Sequence, residues 1–236
     1  MTFSPLLLFA LFAVIFGVIA VVGLRADSKR RERLFAAATM RGWTFTRSRP
    51  DLVDRWTGQP FGRGDNRKVA DVLEGDWHGR PFLAFTYTYE TSSTDSKGDR
   101  STTTHRFGVV VLQLPAWLPT LEVTPESFLH RAAGAVGLGS DLEMESEDFN
   151  RAFQVRASDA KFASDVLPPR AMERLLAAPR SAWRIEGLSA LTWDDSPFEP
   201  EEVERRLSDL EAVVSAIPAF VWKDHGYDPP DGQPGG

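Results

Sequence analysis

The feature that most constrains this chain is an uncharged run near its N-terminus. The run extends from Leu6 to Leu24, nineteen residues that are almost all aliphatic or aromatic. At about 1.5 Å rise per residue, a helix of this length spans roughly 28 Å, close to the hydrocarbon core of a bilayer. Apolar side chains favour insertion by about 0.3 to 0.6 kcal/mol each. The sequence therefore predicts a single transmembrane helix that contacts the lipid bilayer through residues 6–24.

The charges around this run predict its orientation. No basic residue precedes it, and a basic cluster follows it between Arg25 and Arg33. Basic residues next to a span stay in the cytoplasm, whereas a secretory signal carries its basic residues before the apolar core. We therefore predict a retained signal-anchor in the cell membrane, single-pass, with the following domain in the cytoplasm. Small residues at Ala20 and Gly23 leave a cleaved signal as the alternative.

The basic cluster is also a candidate site for lipid. A cation near an anionic membrane surface contributes about 1 kcal/mol to binding. A stop-transfer signal that only orients the helix is the simpler explanation of the cluster, and lipid binding stays open as the alternative. The candidate lipid-contact residues are Arg25, Lys29, Arg30, Arg31 and Arg33.

Composition excludes several classes of function. The chain has 236 residues, a net charge of −6 and no cysteine. Because the segment Arg25–Arg33 is basic, the rest of the chain is more acidic still, which argues against a nucleic-acid-binding face. The absence of cysteine excludes disulfides, thiol catalysis and cysteine-containing metal sites. The remaining length is sufficient for one domain with a hydrophobic core.

The pattern of elements predicts an α+β fold with a mainly antiparallel sheet and several packed helices, preceded by the transmembrane helix. Phe82 to Tyr89 alternates in the manner of a half-buried strand, and "WHGR" supplies a turn before it. Strands and helices follow each other without a βαβ rhythm, which favours antiparallel pairing. The predicted division is an anchor over 1–25, a juxtamembrane helix over 26–41, a soluble domain over 42–224 and a disordered tail over 225–236.

Three local patterns give more specific predictions. Thr124 is a good N-cap, so a short helix is expected to run from it towards Ala133. The segment 182–195 resembles a hairpin with its turn at Gly187 to Ser189. A last helix is expected from Pro200, because apolar residues recur there at helical spacing.

No catalytic, cofactor-binding or metal-binding residue is predicted. The four histidines are too widely spaced for a compact metal motif. The alternating carboxylates Asp141, Glu143 and Glu145 could hold Ca²⁺ or Mg²⁺, although a solvated strand face is the simpler interpretation. Asp194 and Asp195, with Glu199, could act as paired carboxylates, although turn and capping roles are commoner. The histidines are His78, His105, His130 and His225.

One segment resembles a known family. The stretch "FNRAFQVRASDAKFASDVLPPRAMERLL" carries the pattern F-x-V-x-A/S-x-D followed by L-x-P-x-x-M-E-x-L. It is similar to a family of membrane-anchored bacterial proteins of unknown function. The resemblance implies membrane anchoring and a shared soluble fold, and it brings no activity or catalytic residue. The matching positions are Phe153, Val155, Ala157, Asp159, Leu167, Pro169, Met172, Glu173 and Leu175.

Three functions remain open from the sequence. The leading hypothesis is a non-enzymatic interaction or regulatory module that binds an unidentified protein partner. The first alternative is a membrane-tethered hydrolase, which requires a pocket where His78, His105, Asp194 or the carboxylates of 141–145 converge. The second alternative is a sensor of anionic lipid that uses the basic cluster.

Overall fold

The computed structural model describes residues 5–129, 140–177 and 181–229. Seven helices, seven strands and a 3₁₀ turn at Pro50–Leu52 fall within these ranges. The helices are α1 (Pro5–Arg41), α2 (Glu126–Leu129), α3 (Glu147–Ala152), α4 (Ala160–Val166), α5 (Pro169–Ala177), α6 (Pro200–Ser215) and α7 (Ala219–Asp224). The strands are β1 (Thr44–Ser48), β2 (Asp65–Trp77), β3 (Arg80–Thr94), β4 (Arg100–Pro125), β5 (Ser140–Leu142), β6 (Phe153–Ala157) and β7 (Ala182–Asp194).

The described strands form one antiparallel sheet in the order β1-β2-β3-β4-β6-β5. The 26-residue strand β4 organises it: β3 pairs along its first half and β6 at its end. Strand β7 pairs with the opposite edge of β4. The turn between β2 and β3 places His78 and Gly79 at positive φ, 51° and 83°. Two residues in this conformation match the twist of a hairpin, which confirms the predicted turn at "WHGR".

The predicted hairpin over 182–195 is wrong. These residues form the single strand β7, which is paired with β4 on both sides of Gly187. The register shifts where Gly187 faces Leu118, and Gly187 has φ +61°. A glycine at positive φ thus produces a bulge here, and the ladder to β4 keeps the strand continuous where an isolated segment would turn.

The predicted helix after Thr124 begins later than expected. Thr124 and Pro125 still belong to β4 and pair with Gln154 and Phe153 of β6. The helix α2 therefore starts at Glu126 and is described to Leu129. The rest of that prediction, towards Ala133, lies outside the described residues.

The two faces of the sheet carry separate hydrophobic clusters. In β3, Phe85 and Tyr87 belong to one cluster, whereas Phe82 and Ala84 belong to the other, as the alternation in the sequence predicts. Helices α3 to α7 and the C-terminal half of α1 cover the face that carries Phe82 and Ala84. The loop between β1 and β2, residues 49–64, which we call the aromatic loop, covers the face that carries Phe85 and Tyr87. The helical residues of the larger cluster include Leu34, Phe149, Phe162, Met172, Leu207 and Trp222. The loop contributes Leu52, Trp56 and Phe61.

The prediction of an N-terminal transmembrane helix is wrong, whereas the α+β class with a mainly antiparallel sheet is confirmed. Among the residues whose side chains the structure describes, no helix is both long enough and apolar enough to cross a bilayer. The helix α1 runs unbroken through the charged segment Arg25–Arg33 to Arg41. Its described side chains therefore include many charges, which are costly in hydrocarbon, and its end packs on the sheet through Leu34 and Ala38.

Candidate functional site

Three of the five candidate lipid-contact residues hold α1 against the sheet. Arg30 is buried and pairs with the carboxylate of Asp71, to which Arg31 Nε also donates at 2.9 Å. Arg30 Nη1 donates a further hydrogen bond to the carbonyl of Phe198 at 3.2 Å. Arg33 Nη2 lies 3.0 Å from Glu199 Oε2. The sequence could not indicate these contacts, because Asp71 and Glu199 are far from α1 along the chain.

The other two candidates, Arg25 and Lys29, are exposed on α1. Neither forms an ion pair with any residue that the structure describes. The five cations therefore divide into three that contact the domain and two that face solvent. Lipid contact by the cluster stays a prediction.

The candidate histidines lie at separate places in the fold. His78 Nδ1 lies 3.0 Å from Glu211 Oε2, and Trp77 Nε1 donates to the same oxygen at 3.0 Å. His105 Nε2 lies 2.9 Å from Thr91 Oγ1, on strands β3 and β4. The His78 pair joins the β2–β3 turn to α6, whereas the His105 pair is a cross-strand contact.

His225 is the third candidate histidine that the structure describes. His225 follows α7, and its ring packs edge-on against Phe162 at 5.8 Å between centroids. Tyr227, two residues later, packs on Trp222, so residues 225–229 are placed against the domain. His130 lies outside the described residues, as does the end of the predicted tail after residue 229. The predicted domain boundaries stay predictions.

The carboxylates of residues 141–145 behave as a solvated face. The strand β5 ends at Leu142, and Asp141, Glu143 and Glu145 are all exposed. Asp141 Oδ1 accepts a hydrogen bond from Arg156 Nε at 2.7 Å. Within the described ranges, no three carboxylates or histidines lie in a group that could hold a metal ion.

Of the candidate carboxylates before α6, Glu199 is the N-cap residue of that helix and Asp194 is the last residue of β7. The Glu202 carboxylate accepts from the backbone N–H of Glu199 at 3.3 Å, which is a capping contact. Arg206 Nη2 lies 3.4 Å from Asp194 Oδ2 and 3.3 Å from the Glu202 carboxylate. Asp194, His78, His105 and Asp141 thus contact different partners on different elements, and the described residues do not bring them into one pocket.

A buried ionic cluster surrounds Arg184 in β7. Arg184 is fully buried, and its Nη1 donates to Glu122 Oε2 at 2.9 Å and to the carbonyl of Gln59 at 3.0 Å. Its Nε lies 3.1 Å from Glu186 Oε2. The guanidinium also lies 5.4 Å from the ring centroid of Trp193. These contacts connect β7, β4 and the aromatic loop, so the cluster stabilises the fold.

The pKa shifts in the described residues also have structural causes. Burial raises the pKa of Tyr87, which has no exposed surface within its aromatic cluster. The Arg49 guanidinium lowers the pKa of Asp51 through a side-chain hydrogen bond. The Asp165 carboxylate likewise raises the pKa of Lys161 on α4. None of these groups lines the concave site described next.

One concave apolar site in the described part of the chain lies between α5 and α6, above the strands β6 and β7. We call it the α5–α6 groove; its volume is about 230 Å³. Alanines at 171, 212 and 216 leave space between the two helices because their side chains are short. The groove is lined by Phe153, Val166, Leu167, Ala171, Arg174, Leu175, Ser181, Trp183, Asp209, Ala212, Val213 and Ala216.

The polar groups of the groove are few and differ in their surroundings. Arg174 is exposed and has no ion-pair partner among the described residues. The negative charge of Asp209 is paired with Arg205, whose Nη1 lies 3.3 Å from Asp209 Oδ2. Trp183 is 4% exposed, and its indole Nε1 is buried without a hydrogen-bond partner in the described part of the chain.

Sequence reasoning missed this groove, although residues of one sequence motif line it. Phe153, Leu167 and Leu175, three positions of the F-x-V and L-x-P motifs, line it. The motif predicts a strand and two helices, but the opposite wall of the groove comes from α6, more than thirty residues later. No local pattern indicates that α5 and α6 leave a space between them.

No protein family matches the chain, and no curated protein matches it. The crystal structure of the mycobacterial trehalose monomycolate transport factor A, TtfA, is similar in fold, with a TM-score of 0.55. The alignment covers 80% of this chain and 96% of that chain at 12% sequence identity. At this identity the likeness establishes the fold alone. The resemblance to a membrane-anchored family stays a prediction.

Proposed function

We propose that this chain is a non-enzymatic accessory factor that acts by binding, and that the α5–α6 groove is where it binds. The likeness to a protein named as a transport factor supports an accessory role of this kind. The sequence analysis favours a non-enzymatic interaction module, and the proposal adds that its binding site is the α5–α6 groove.

The observation that carries the proposal is the apolar lining of the groove. Ligand sites are concave and mostly apolar, with a few polar groups that set orientation. The groove has this character, with Leu175 and Val213 on its two helices and Trp183 from the sheet. The candidate catalytic residues His78, His105 and Asp194 do not line it.

The hydrolase alternative receives less support from the geometry. General acid–base catalysis needs a base within hydrogen-bond reach of a reacting group, and usually a second group that orients the base. His78 and Glu211 form one such pair, but the other candidate groups contact different elements. This pair is therefore the site at which the experiment below looks for catalysis.

A protein partner is a second candidate ligand, and an exposed aromatic patch favours it. Trp117 on β4 is 63% exposed, and Leu188 on β7 is 49% exposed beside it. A Cβ at Gly187 would lie 3.3 Å from Trp117 Nε1, so the indole lies close over this glycine. Exposed tryptophans are typical anchors of protein interfaces.

Contact with anionic lipid through Arg25 and Lys29 is a further proposal, which the exposure of these two side chains favours.

The proposal is tested by blocking the groove in the full chain. Ala212 is exposed on α6 and lines the groove, so Ala212→Phe fills the space without disturbing the core. Ala160→Phe, at the exposed first residue of α4, is the matched control because Ala160 does not line the groove. The probe is the dye 1-anilinonaphthalene-8-sulfonate, whose fluorescence rises on apolar sites.

We expect the dye to bind wild type and Ala160→Phe equally, and Ala212→Phe at least fivefold more weakly. We also expect no hydrolysis of 4-nitrophenyl butyrate beyond that of a His78→Ala variant. Equal dye binding by Ala212→Phe would contradict the groove as the binding site. Ester hydrolysis that disappears in His78→Ala would contradict a non-enzymatic role.

A further inference from the structure

We propose that the α5–α6 groove binds a small amphiphile with one negative charge, its apolar body in the groove and its anionic group on Arg174. This inference rests on the proposed function and names the ligand class of the same site. Its basis is the position of Arg174 on α5, the pairing of the other charge in the lining and the apolar surface between the two helices.

Arg174 lies on the face of α5 that lines the groove. Ala171, Arg174 and Leu175 all line it, and their spacing of three and four residues places them on one face of a helix. Arg170 and Glu173, on the same helix, do not line the groove. Arg174 is exposed, so its side chain is accessible to a ligand that enters from solvent. It is therefore the charged side chain that α5 contributes to this site.

The charges of the lining favour an anionic ligand. Among the described residues of the lining, Arg174 and Asp209 are charged. Asp209 Oδ2 lies 3.3 Å from Arg205 Nη1 on the same helix, whereas Arg174 has no ion-pair partner in the described ranges. Because Arg205 offsets the charge of Asp209, Arg174 is the group of the lining whose charge is left for a ligand, and it attracts an anion.

The rest of the lining determines the apolar part of the ligand. Leu175, Val213 and Ala216 are half-buried, so each keeps apolar surface that a ligand can cover. Removal of this surface from water favours binding. The groove, at about 230 Å³, is smaller than the about 300 to 1,000 Å³ of drug-sized sites. It therefore covers the apolar part of one small molecule and leaves the charged group of that molecule at its rim.

A free amphiphile with one negative charge fits these features better than other ligands. A simple anion would leave the apolar lining in water, and a neutral apolar molecule would leave Arg174 without a partner. A membrane lipid with two acyl chains is too large for the groove. An anionic group at the exposed Arg174 also keeps part of its hydration, so binding does not require the burial of a charge.

The test compares two dyes that differ in one charged group. 1-Anilinonaphthalene-8-sulfonate carries a sulfonate, and N-phenyl-1-naphthylamine has the same rings without it. The affinity of each dye is measured by fluorescence titration of full-length wild type, Arg174→Gln and Arg174→Lys. Arg170→Gln is the matched control, because Arg170 is exposed on the same helix and does not line the groove.

We expect Arg174→Gln to weaken binding of the sulfonated dye about two- to fivefold, the size of an exposed ion pair, and to leave the uncharged dye unchanged. Arg174→Lys keeps the charge and should bind both dyes as wild type does. Arg170→Gln should leave the ratio of the two affinities unchanged. High salt should reduce the effect of Arg174→Gln, because an exposed pair is screened.

The ratio of the two affinities separates a loss of charge from a disturbed groove. A substitution that alters the shape of the groove weakens both dyes alike, whereas loss of the contact between the sulfonate and Arg174 weakens one of them. The ratio therefore tests the inference even if Arg174→Gln repacks the helix.

Two results would overturn the inference while leaving the proposed function in place. The first is binding of the sulfonated dye that Ala212→Phe weakens and Arg174→Gln does not. The second is equal weakening of both dyes by Arg174→Gln, which would assign Arg174 a structural role. Absence of binding of either dye to wild type would overturn the proposed function as well.

Discussion

Substitution of Asp71 provides a sensitive test of how α1 is held on the domain. Asp71 is 2% exposed, lies at φ +54° and receives both Arg30 and Arg31. Asp71→Ala leaves the buried Arg30 guanidinium without its carboxylate. Breaking a buried ion pair in this way costs about 3 to 5 kcal/mol.

Because the backbone at Asp71 is left-handed, we expect different losses of stability for Asp71→Asn and Asp71→Ala. Asparagine and aspartate tolerate this conformation, whereas alanine in it costs about 1 kcal/mol or more. Asp71→Asn keeps one acceptor oxygen, but it loses the charge and the acceptor for the second arginine, so we expect a loss of about 1.5 to 3 kcal/mol. Asp71→Ala should cost more than Asp71→Asn, and either loss is a large fraction of a typical stability of about 5 to 15 kcal/mol.

The assay is urea unfolding of the full chain, with amide hydrogen exchange to locate the effect. Asp54→Asn is the matched control, because Asp54 forms a 2.7 Å contact with Arg67 and its side chain is 72% exposed. The control should change the free energy of unfolding by less than about 1 kcal/mol. Exchange should accelerate first between Arg30 and Ala38. A loss no larger in Asp71→Ala than in Asp54→Asn would refute the reasoning.

Three further substitutions test the buried parts of the fold. Glu122→Ala should cost about 1.5 to 3 kcal/mol in urea unfolding, because it removes the 2.9 Å acceptor of the fully buried Arg184 while Glu186 stays 3.1 Å from its Nε. A loss below about 0.5 kcal/mol would argue against this pair. Gly108→Ala should cost about 1 to 3 kcal/mol, because its Cβ would lie 2.6 Å from the backbone nitrogen of Phe198; unchanged stability would show that this contact can relax. Burial raises the pKa of Tyr87, so the phenol ionises at a lower pH in the unfolded chain than in the folded one. The free energy of unfolding should therefore fall above about pH 10, by at most about 1.4 kcal/mol per pH unit. Tyr87→Phe should remove this decline in unfolding measured between pH 8 and 11, and an identical decline in both proteins would contradict it.

Local patterns predict the parts of this fold that depend on neighbours in the sequence. The alternation in β3 correctly assigns Phe85 and Phe82 to opposite faces, because a strand has a period of two. The turn at His78 follows from Gly79, which adopts positive φ without strain, and the start of α6 follows from Pro200, whose φ is fixed near the helical value. These features need no information about the rest of the chain.

The features that sequence reasoning missed depend on distant pairing. Gly187 is a plausible turn residue, but the ladder between β7 and β4 makes it a bulge. The basic residues Arg30 and Arg31 are typical of a membrane flank, but Asp71 pairs with both. The groove needs α5 and α6 together, so neither helix predicts it alone.

The most direct test of binding at the groove is a map of backbone amide shifts during titration of the full chain with 1-anilinonaphthalene-8-sulfonate. We predict that the largest shifts occur in α5, in α6 around Ala212 and at Trp183. Shifts centred on His78 and Glu211, or on Trp117 and Leu188, with the amide resonances of α5 and α6 unmoved, would contradict binding at the groove.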